Sequence, residues 1–382
     1  MTTETSSRCL NPSAATDHYF LELTQLAGIN INGPQPWDMQ LHNNGVPERL
    51  FRHGNLGLGE SYMDGDWDCQ ALDQFFYRVL KARLPERIEP ARLMLHAIKV
   101  RLFNRQTSKR AWQVGEEHYD LGNDFYQAML DPRMTYTCGY WRQADTLQQA
   151  QEAKLDLICR KLQLKPGQKI LDIGCGWGSF MSYAAEHYGV QCVGVTISKE
   201  QTDWAKARYP DLPLEFRFMD YRDIDEPFDH IVSIGMFEHV GHKNYRTFMQ
   251  VAARCLKDGG LFLLHTIGKN QRKGYTDPWI DKYIFPNGEL PSIGQLGDAM
   301  DGHFVVEDLH NFGADYDKTL MAWHLNFEQH WPEFSDQLGE RFYRMWRYYL
   351  LSCAGAFRAR DIQLWQWVLS KQGVSGVYSR QS

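Results

Sequence analysis

From residue 169 onward the chain alternates short apolar runs with stretches whose apolar residues recur at helical spacing. Lys169–Ile173, Gln191–Val195, Leu214–Met219, Phe228–Ile234 and Leu261–Leu264 read as strands, and helices are expected to begin at Ser179, Lys199 and Lys243. This alternation predicts parallel strands joined by helical crossovers, a Rossmann-like doubly wound α/β sheet. Phe304–Leu309 and Leu364–Leu369 read as two further strands, with helices near Leu320–His330 and Leu338–Leu351.

The first hundred residues are punctuated differently. Turn signals at Asn32-Gly33-Pro34, Asn43-Asn44-Gly45, His53-Gly54 and Asp64-Gly65 separate short apolar stretches, so a smaller accessory unit of mixed or helical character is expected. Between Ala91 and Phe103 the apolar residues Ala91, Met94, Leu95, Ile98 and Leu102 repeat at helical spacing, with Arg92, Lys99 and Arg101 on other faces. Such a basic amphipathic helix either packs its stripe on the accessory core with its charges solvated, or is drawn to an anionic lipid surface. The polar stretch Asn104–Lys109 breaks the periodicity. The division expected is an accessory unit at 1–105 that contacts lipid or membrane, a linker at 106–115 and a catalytic domain at 116–382.

Composition narrows the class. A chain of 382 residues exceeds what one core usually serves, which fits two units. With 43% hydrophobic and 23% charged residues it has the make-up of a globular protein. No apolar run is long enough to span a bilayer, and Met1–Asp17 lacks the basic flank and apolar stretch of a secretory signal, so a cytoplasmic location is expected. Eight scattered cysteines without a CxxC pair predict neither a disulfide framework nor zinc, and no metal site is expected. The net charge of −6 argues against a nucleic-acid partner. That charge is uneven: Lys81–Trp112 holds nine basic residues against Glu86 and Glu89, making it +7 in an otherwise acidic chain.

The strongest motif is Ile170-Leu171-Asp172-Ile173-Gly174-Cys175-Gly176-Trp177-Gly178-Ser179, a strand running into a glycine turn and a helix. Glycines there let the backbone approach a ligand at the carboxyl end of the sheet. The GxGxG spacing disfavours a dinucleotide pyrophosphate and resembles the S-adenosylmethionine site of class I methyltransferases; a tight turn without ligand is the bland alternative. Thr196 and Gln201, after the second strand, could bond polar groups of the cofactor. Asp220 and Tyr221, after the third, suit an adenine ring, the carboxylate accepting from its amino group and the aromatic face stacking. Either pair could equally be ordinary loop chemistry.

Several long motifs carry a resemblance. Leu56-Gly57-Leu58-Gly59-Glu60-Ser61-Tyr62-Met63-Asp64-Gly65, His118-Tyr119-Asp120-Leu121-Gly122-Asn123-Asp124, Gly235-Met236-Phe237-Glu238-His239-Val240-Gly241, Leu264-His265-Thr266-Ile267-Gly268, Asn311-Phe312-Gly313-Ala314-Asp315-Tyr316 and Ala354-Gly355-Ala356-Phe357-Arg358-Ala359-Arg360-Asp361 follow in order along the chain. Together they resemble the bacterial cyclopropane-fatty-acid-phospholipid synthases, and the catalytic half also resembles the mycolic acid cyclopropane synthases. A departure lies in Met134–Trp141, where Thr137 and Gly139 stand at positions that relatives often fill with Ser and Ala. The resemblance implies a class I S-adenosylmethionine-dependent methyltransferase with a smaller N-terminal domain, acting on unsaturated phospholipids of the bilayer as a homodimer associated peripherally with the inner membrane face. It places the cofactor against Tyr136, Thr137, the Gly174–Gly178 loop, Thr196, Gln201, Tyr221 and Arg222. It also implies that Cys138, Glu238, His265, Tyr316 and the backbone of Ile267 hold a bicarbonate ion acting as general base.

The chemistry gives these residue types a purpose. Methyl transfer to an alkene leaves a cation, so the site must exclude water and supply a base for the proton lost on ring closure. Glu238, past the fourth strand, and His265, ending the fifth, are aimed at the crevice by the sheet topology, whereas Cys138 and Tyr316 must come from flanking segments. A lone cysteine is more often an inert core residue than a ligand, and a histidine ending a strand is often structural. Two rival readings share the cofactor motif: a methyltransferase that leaves a methyl branch or acts on a small molecule, and a lipid-binding scaffold with a dead cofactor fold.

Overall fold

The computed structural model describes residue 10 and residues 15–88, 121–272 and 276–382. The amphipathic stretch Ala91–Phe103, the linker 106–115 and most of the +7 segment lie outside the described residues.

In the N-terminal unit, helices α1 (Ala15–Leu26), α2 (Val46–His53), α3 (Asn55–Met63), α4 (Leu72–Lys81) and α5 (Leu84–Ile88) surround a ribbon of β1 (Gln40–Leu41) and β2 (Trp67–Asp68). The turn signals fall where expected: Gly54 (φ 62) separates α2 from α3, and Gly65 (φ 80) turns the chain toward β2. A Cβ on Gly59 would run into the ring of Trp279, so the glycines of α3 serve close packing.

Beyond residue 121 come α6 (Asn123–Met129) and α7 (Leu147–Lys161), whose start is fixed by a capping box from Thr146 and Gln149. The sheet follows, with β3 (Lys169–Ile173), α8 (Ser179–Tyr188), β4 (Gln191–Thr196), α9 (Lys199–Arg208), β5 (Leu214–Phe218), β6 (His230–Ile234), α10 (Tyr245–Cys255) and β7 (Leu261–Lys269). After α11 (Pro278–Tyr283) and α12 (Ile293–Met300) come β8 (Val305–Asn311), α13 (Ala314–Ala359) and β9 (Ile362–Ser370). Strand order is β5-β4-β3-β6-β7-β9-β8. β3 to β7 run parallel, and β9 lies antiparallel between β7 and β8. The order reverses at β3 and β6, which opens a crevice above their carboxyl ends.

Two elements differ from the sequence pattern. β7 runs five residues past the apolar run because β9 pairs with it from Leu261↔Ser370 to Lys269↔Ile362, carrying His265 and Ile267 into the sheet. The helix expected from Lys243 begins at Tyr245 after a single 3₁₀ turn. The two late helices follow one another as expected, parted at Gly339 (φ 73, ψ 166), where the backbone leaves the helical region.

The N-terminal unit docks on α13 and α11. Arg358 grips Asp73 of α4 at 2.6 Å and Asp317 at 2.8 Å, and Arg347 reaches the Tyr62 hydroxyl at 2.6 Å. Asn55 joins Asp277 (2.9 Å) and Tyr348 (2.7 Å). Apolar residues of both parts, among them Phe20, Leu50, Phe75, Phe125, Trp323 and Tyr348, form one continuous core.

Candidate active site

A cavity of about 960 Å³ runs through the molecule from the glycine loop to the N-terminal helices. At one end lie Gly174, Gly176, Trp177, Asp172 and Gln201; in the middle Tyr136, Thr137, Glu238, Ile267 and Tyr316; at the other Phe20, Leu23, Leu50, Leu58, Phe75 and Val79.

The three loop glycines differ in purpose although all have positive φ. A Cβ on Gly174 would stand 2.5 Å from Met236, and one on Gly178 2.7 Å from Phe216. Only Gly176 (φ 53) would point a Cβ into open space, so its backbone is the surface left for a ligand to meet. Gln201 is buried on the wall and bonded to Thr196 (3.2 Å), which is itself off the wall. Asp220, Tyr221 and Arg222 are also off it: both Asp220 oxygens are taken by Arg222 (2.8 and 2.7 Å), and Tyr221 packs on Phe248.

Tyr136 and Thr137 come from the segment before α7. The Tyr136 hydroxyl meets that of Tyr349 at 2.9 Å. Thr137 is held by Lys154 Nζ at 2.9 Å and, through its carbonyl, by Gln151 at 2.7 Å. Sequence reasoning missed Lys154, which is fully buried, lowered to about 8 by desolvation, and shares the cavity wall with Asp172, raised by burial to about 7. The signal was available: Lys154 and Lys161 lie seven residues apart on the buried stripe of α7, beside Leu157 and Ile158.

The four residues expected at the base site converge from four segments. Glu238 sits on a one-turn helix after β6; its Oε1 accepts from the Ile267 amide at 2.6 Å, and its Oε2 is buried with no partner. Burial raises this carboxyl to about 7, opposed mainly by that amide. His265 stands opposite Ile234 on β7, receives Gln366 Nε2 at Nδ1 (3.1 Å), and leaves Nε2 buried without a partner. Burial, then the charges of Lys154 and Lys161, hold its ring well below the ordinary histidine range, so it is neutral.

Tyr316, in the first turn of α13, stacks on Phe357 at 4.5 Å. Its hydroxyl is pushed far up by burial and then by neighbouring Cys138 and Glu238. Cys138 is fully buried and off the cavity wall, its thiol donating to the Gly139 carbonyl (3.1 Å) with Thr319 of α13 beside it. Desolvation keeps it a thiol. A carboxyl poised near neutrality and a phenol thus line the cavity, while a neutral imidazole and a thiol lie buried behind its wall.

A family model described as mycolic acid cyclopropane synthetase matches residues 106–367. The chain is 54% identical over 377 residues to the cyclopropane-fatty-acyl-phospholipid synthase of Escherichia coli strain K12, covering 97% of this chain and 99% of that protein. The solved cyclopropane synthase MmaA2 from Mycobacterium tuberculosis is 34% identical, with a TM-score of 0.65 over 68% of this chain and 98% of that one. The mycolic acid cyclopropane synthase CmaA1, complexed with SAH and CTAB, is 35% identical, with a TM-score of 0.64 over 68% of this chain and 98% of that one. With the sheet order, the glycine loop and these matches together, the chain belongs to the mycolic acid cyclopropane synthetase family and is an S-adenosylmethionine-dependent methyltransferase.

Proposed function

We propose that this enzyme adds a methylene bridge across the cis double bond of an unsaturated phospholipid acyl chain, with bicarbonate as the general base. The observation that carries this reading is the cavity that joins the glycine loop to an apolar limb between the N-terminal helices. A small polar substrate would have no use for walls of Phe20, Leu23, Leu50, Leu58 and Phe75, whereas a lipid chain buries apolar surface there at ~25 cal/mol per Å².

When bound, S-adenosylmethionine supplies an electrophilic methyl group on sulfonium sulfur; the open face of Gly176 and the buried amide of Gln201 fit it. Joining that methyl to one alkene carbon breaks the sulfur–carbon bond and leaves positive charge on the other. A proton must then leave the new methyl group, its electron pair closing the ring. Tyr136, Tyr316 and Phe357 line the cavity, and their rings would keep water from the cation, which it would otherwise trap.

When bound, bicarbonate supplies a base without placing a fixed carboxylate against the cation. Two buried atoms without a partner, Glu238 Oε2 and His265 Nε2, would hold it, the carboxylate as an acceptor and the imidazole as a donor. The Ile267 amide acts through Glu238 in this arrangement, since it is bonded to that carboxylate. Lipid contact is peripheral in this reading, and the active species is a homodimer. No helix among the described residues is long and apolar enough to cross a membrane.

Vesicles of phospholipid with cis-monounsaturated chains, incubated with enzyme and S-adenosylmethionine, test the proposal by mass spectrometry and proton NMR of the released chains. Cyclopropane protons are expected. A methyl branch with a surviving double bond, or no change, would overturn it. Stripping dissolved carbon dioxide should slow the reaction and added bicarbonate restore it; indifference to both would shift the base to Glu238 itself.

A further inference from the structure

Lys161 closes α7 with its side chain wholly buried. Its Nζ lies 2.9 Å from Gln366 Oε1 and 3.1 Å from His310 Nδ1, with Asp308 Oδ2 at 4.0 Å. Gln366 of β9 is directly opposite His265 on β7 and His310 on β8, so the three form one row across the sheet, and α7 sets its lysine over that row.

The row fixes where protons sit. Burial lowers Lys161 to about 7 and His310 to about 4. As an ammonium, the form that Asp308 favours from 4.0 Å, the lysine only donates, so both of its close neighbours, His310 Nδ1 and the facing end of the Gln366 amide, accept. The end facing it is therefore the carbonyl oxygen. The opposite end, Nε2, stands 3.1 Å from His265 Nδ1 and can only donate. A neutral imidazole that accepts at Nδ1 carries its proton on Nε2, which is the buried atom without a partner.

We infer that Lys161 and Gln366 are positioning residues that lock His265 in its Nε2–H tautomer, so that it offers a hydrogen-bond donor to the anion beside Glu238. The opposite tautomer would face that anion with a lone pair. Neither Lys161 nor Gln366 stands in the motifs that carry the family resemblance. The identity of the anion rests on the bicarbonate reading; the tautomer rests on the geometry of the row.

Gln366→Glu is the discriminating change. It keeps the size of the side chain and an acceptor for Lys161, but an ionised carboxylate has no hydrogen for Nδ1 and draws the ring proton to that nitrogen. The readout is ¹⁵N NMR of histidine-labelled enzyme, with the His265 signals assigned by their loss in His265→Gln. The wild type should carry its proton on Nε2, and Gln366→Glu on Nδ1. In the variant kcat should fall ~10²- to 10³-fold, the typical loss of one donor to a reacting anion, while calorimetric affinity for S-adenosylmethionine and the thermal midpoint hold. A purely structural role would lower the midpoint without moving the proton. The inference is overturned if the wild type, which needs no variant to fold, carries the proton on Nδ1, or if the variant moves the proton and turns over at the wild-type rate. Failure of the bicarbonate reading is seen separately, as turnover unaffected by removing carbon dioxide.

Discussion

Glu238 gives one oxygen to the protein and the other to the cavity. Because burial raises it to about 7, it is a carboxylate above that pH and takes up a proton as the pH falls through it. A reaction that needs Oε2 as an acceptor should therefore show kcat/KM falling on the acid side of pH 7 with a single-proton slope. Glu238→Gln should cost ~10²- to 10⁴-fold in rate and abolish that acid limb, with cofactor affinity unchanged by calorimetry. A variant as fast as the wild type would remove Glu238 from the base site. Cys138→Ala should be milder, because its thiol is a weak donor already turned to the Gly139 carbonyl. Glu238 and the glycine loop were legible from strand ends, since topology aims those positions at the crevice, whereas His265, also expected at a strand end, lies behind the cavity wall. Cys138 and Tyr316 were reached only through the family resemblance, because no spacing rule links a segment before the sheet to a helix after it. Gln366 could not be read at all: its meaning depends on a β7–β9–β8 register that the sequence does not display.

At the scale of elements, the parallel strands were legible nearly to the residue, as Lys169–Ile173 shows, because strands buried on both faces read as apolar runs. The extent of β7 was not, since its second half is held by pairing with β9 rather than by apolar character. The Ala354-Gly355-Ala356 motif gains its reason here. A Cβ on Gly355 would stand 2.7 Å from the Asp73 carbonyl and 2.8 Å from Phe76, so the glycine lets α13 and α4 touch backbone to backbone. Gly355→Ala should destabilise the fold by ~1–3 kcal/mol through overpacking. The drop should appear as a lower thermal midpoint while the cofactor still binds. An unchanged midpoint would mean that the two helices can part at no cost, contrary to the Arg358 clamp on Asp73 and Asp317.

The whole molecule presents an acidic body with one basic segment, Lys81–Trp112, and a cavity that reaches into the unit preceding that segment. Attraction to an anionic bilayer is worth on the order of 1 kcal/mol per basic residue near the surface and fades beyond ~10 Å at moderate salt. Sedimentation with anionic vesicles should thus weaken as salt rises. Replacing Lys99, Arg101 and Arg105 with Gln should weaken it further, and equal sedimentation of the two proteins would assign the contact elsewhere. The cavity supports a sharper expectation, because its far limb is built by helices that precede the sheet while its reactive end is built by the sheet. If an acyl tail fills that limb, a larger side chain on its wall shortens the space beyond the reacting carbon. Val79 lines the limb on α4 and is only partly buried, so a tryptophan there can enter the space without rebuilding the core. In competition between vesicle lipids that differ in chain length, Val79→Trp should therefore turn over the longer chains more slowly relative to the shorter ones, as read by mass spectrometry. Affinity for S-adenosylmethionine, bound at the opposite end, should not change. An unaltered chain-length profile in a folded variant would show that the tail lies elsewhere, and the N-terminal limb would then have no part in holding the substrate.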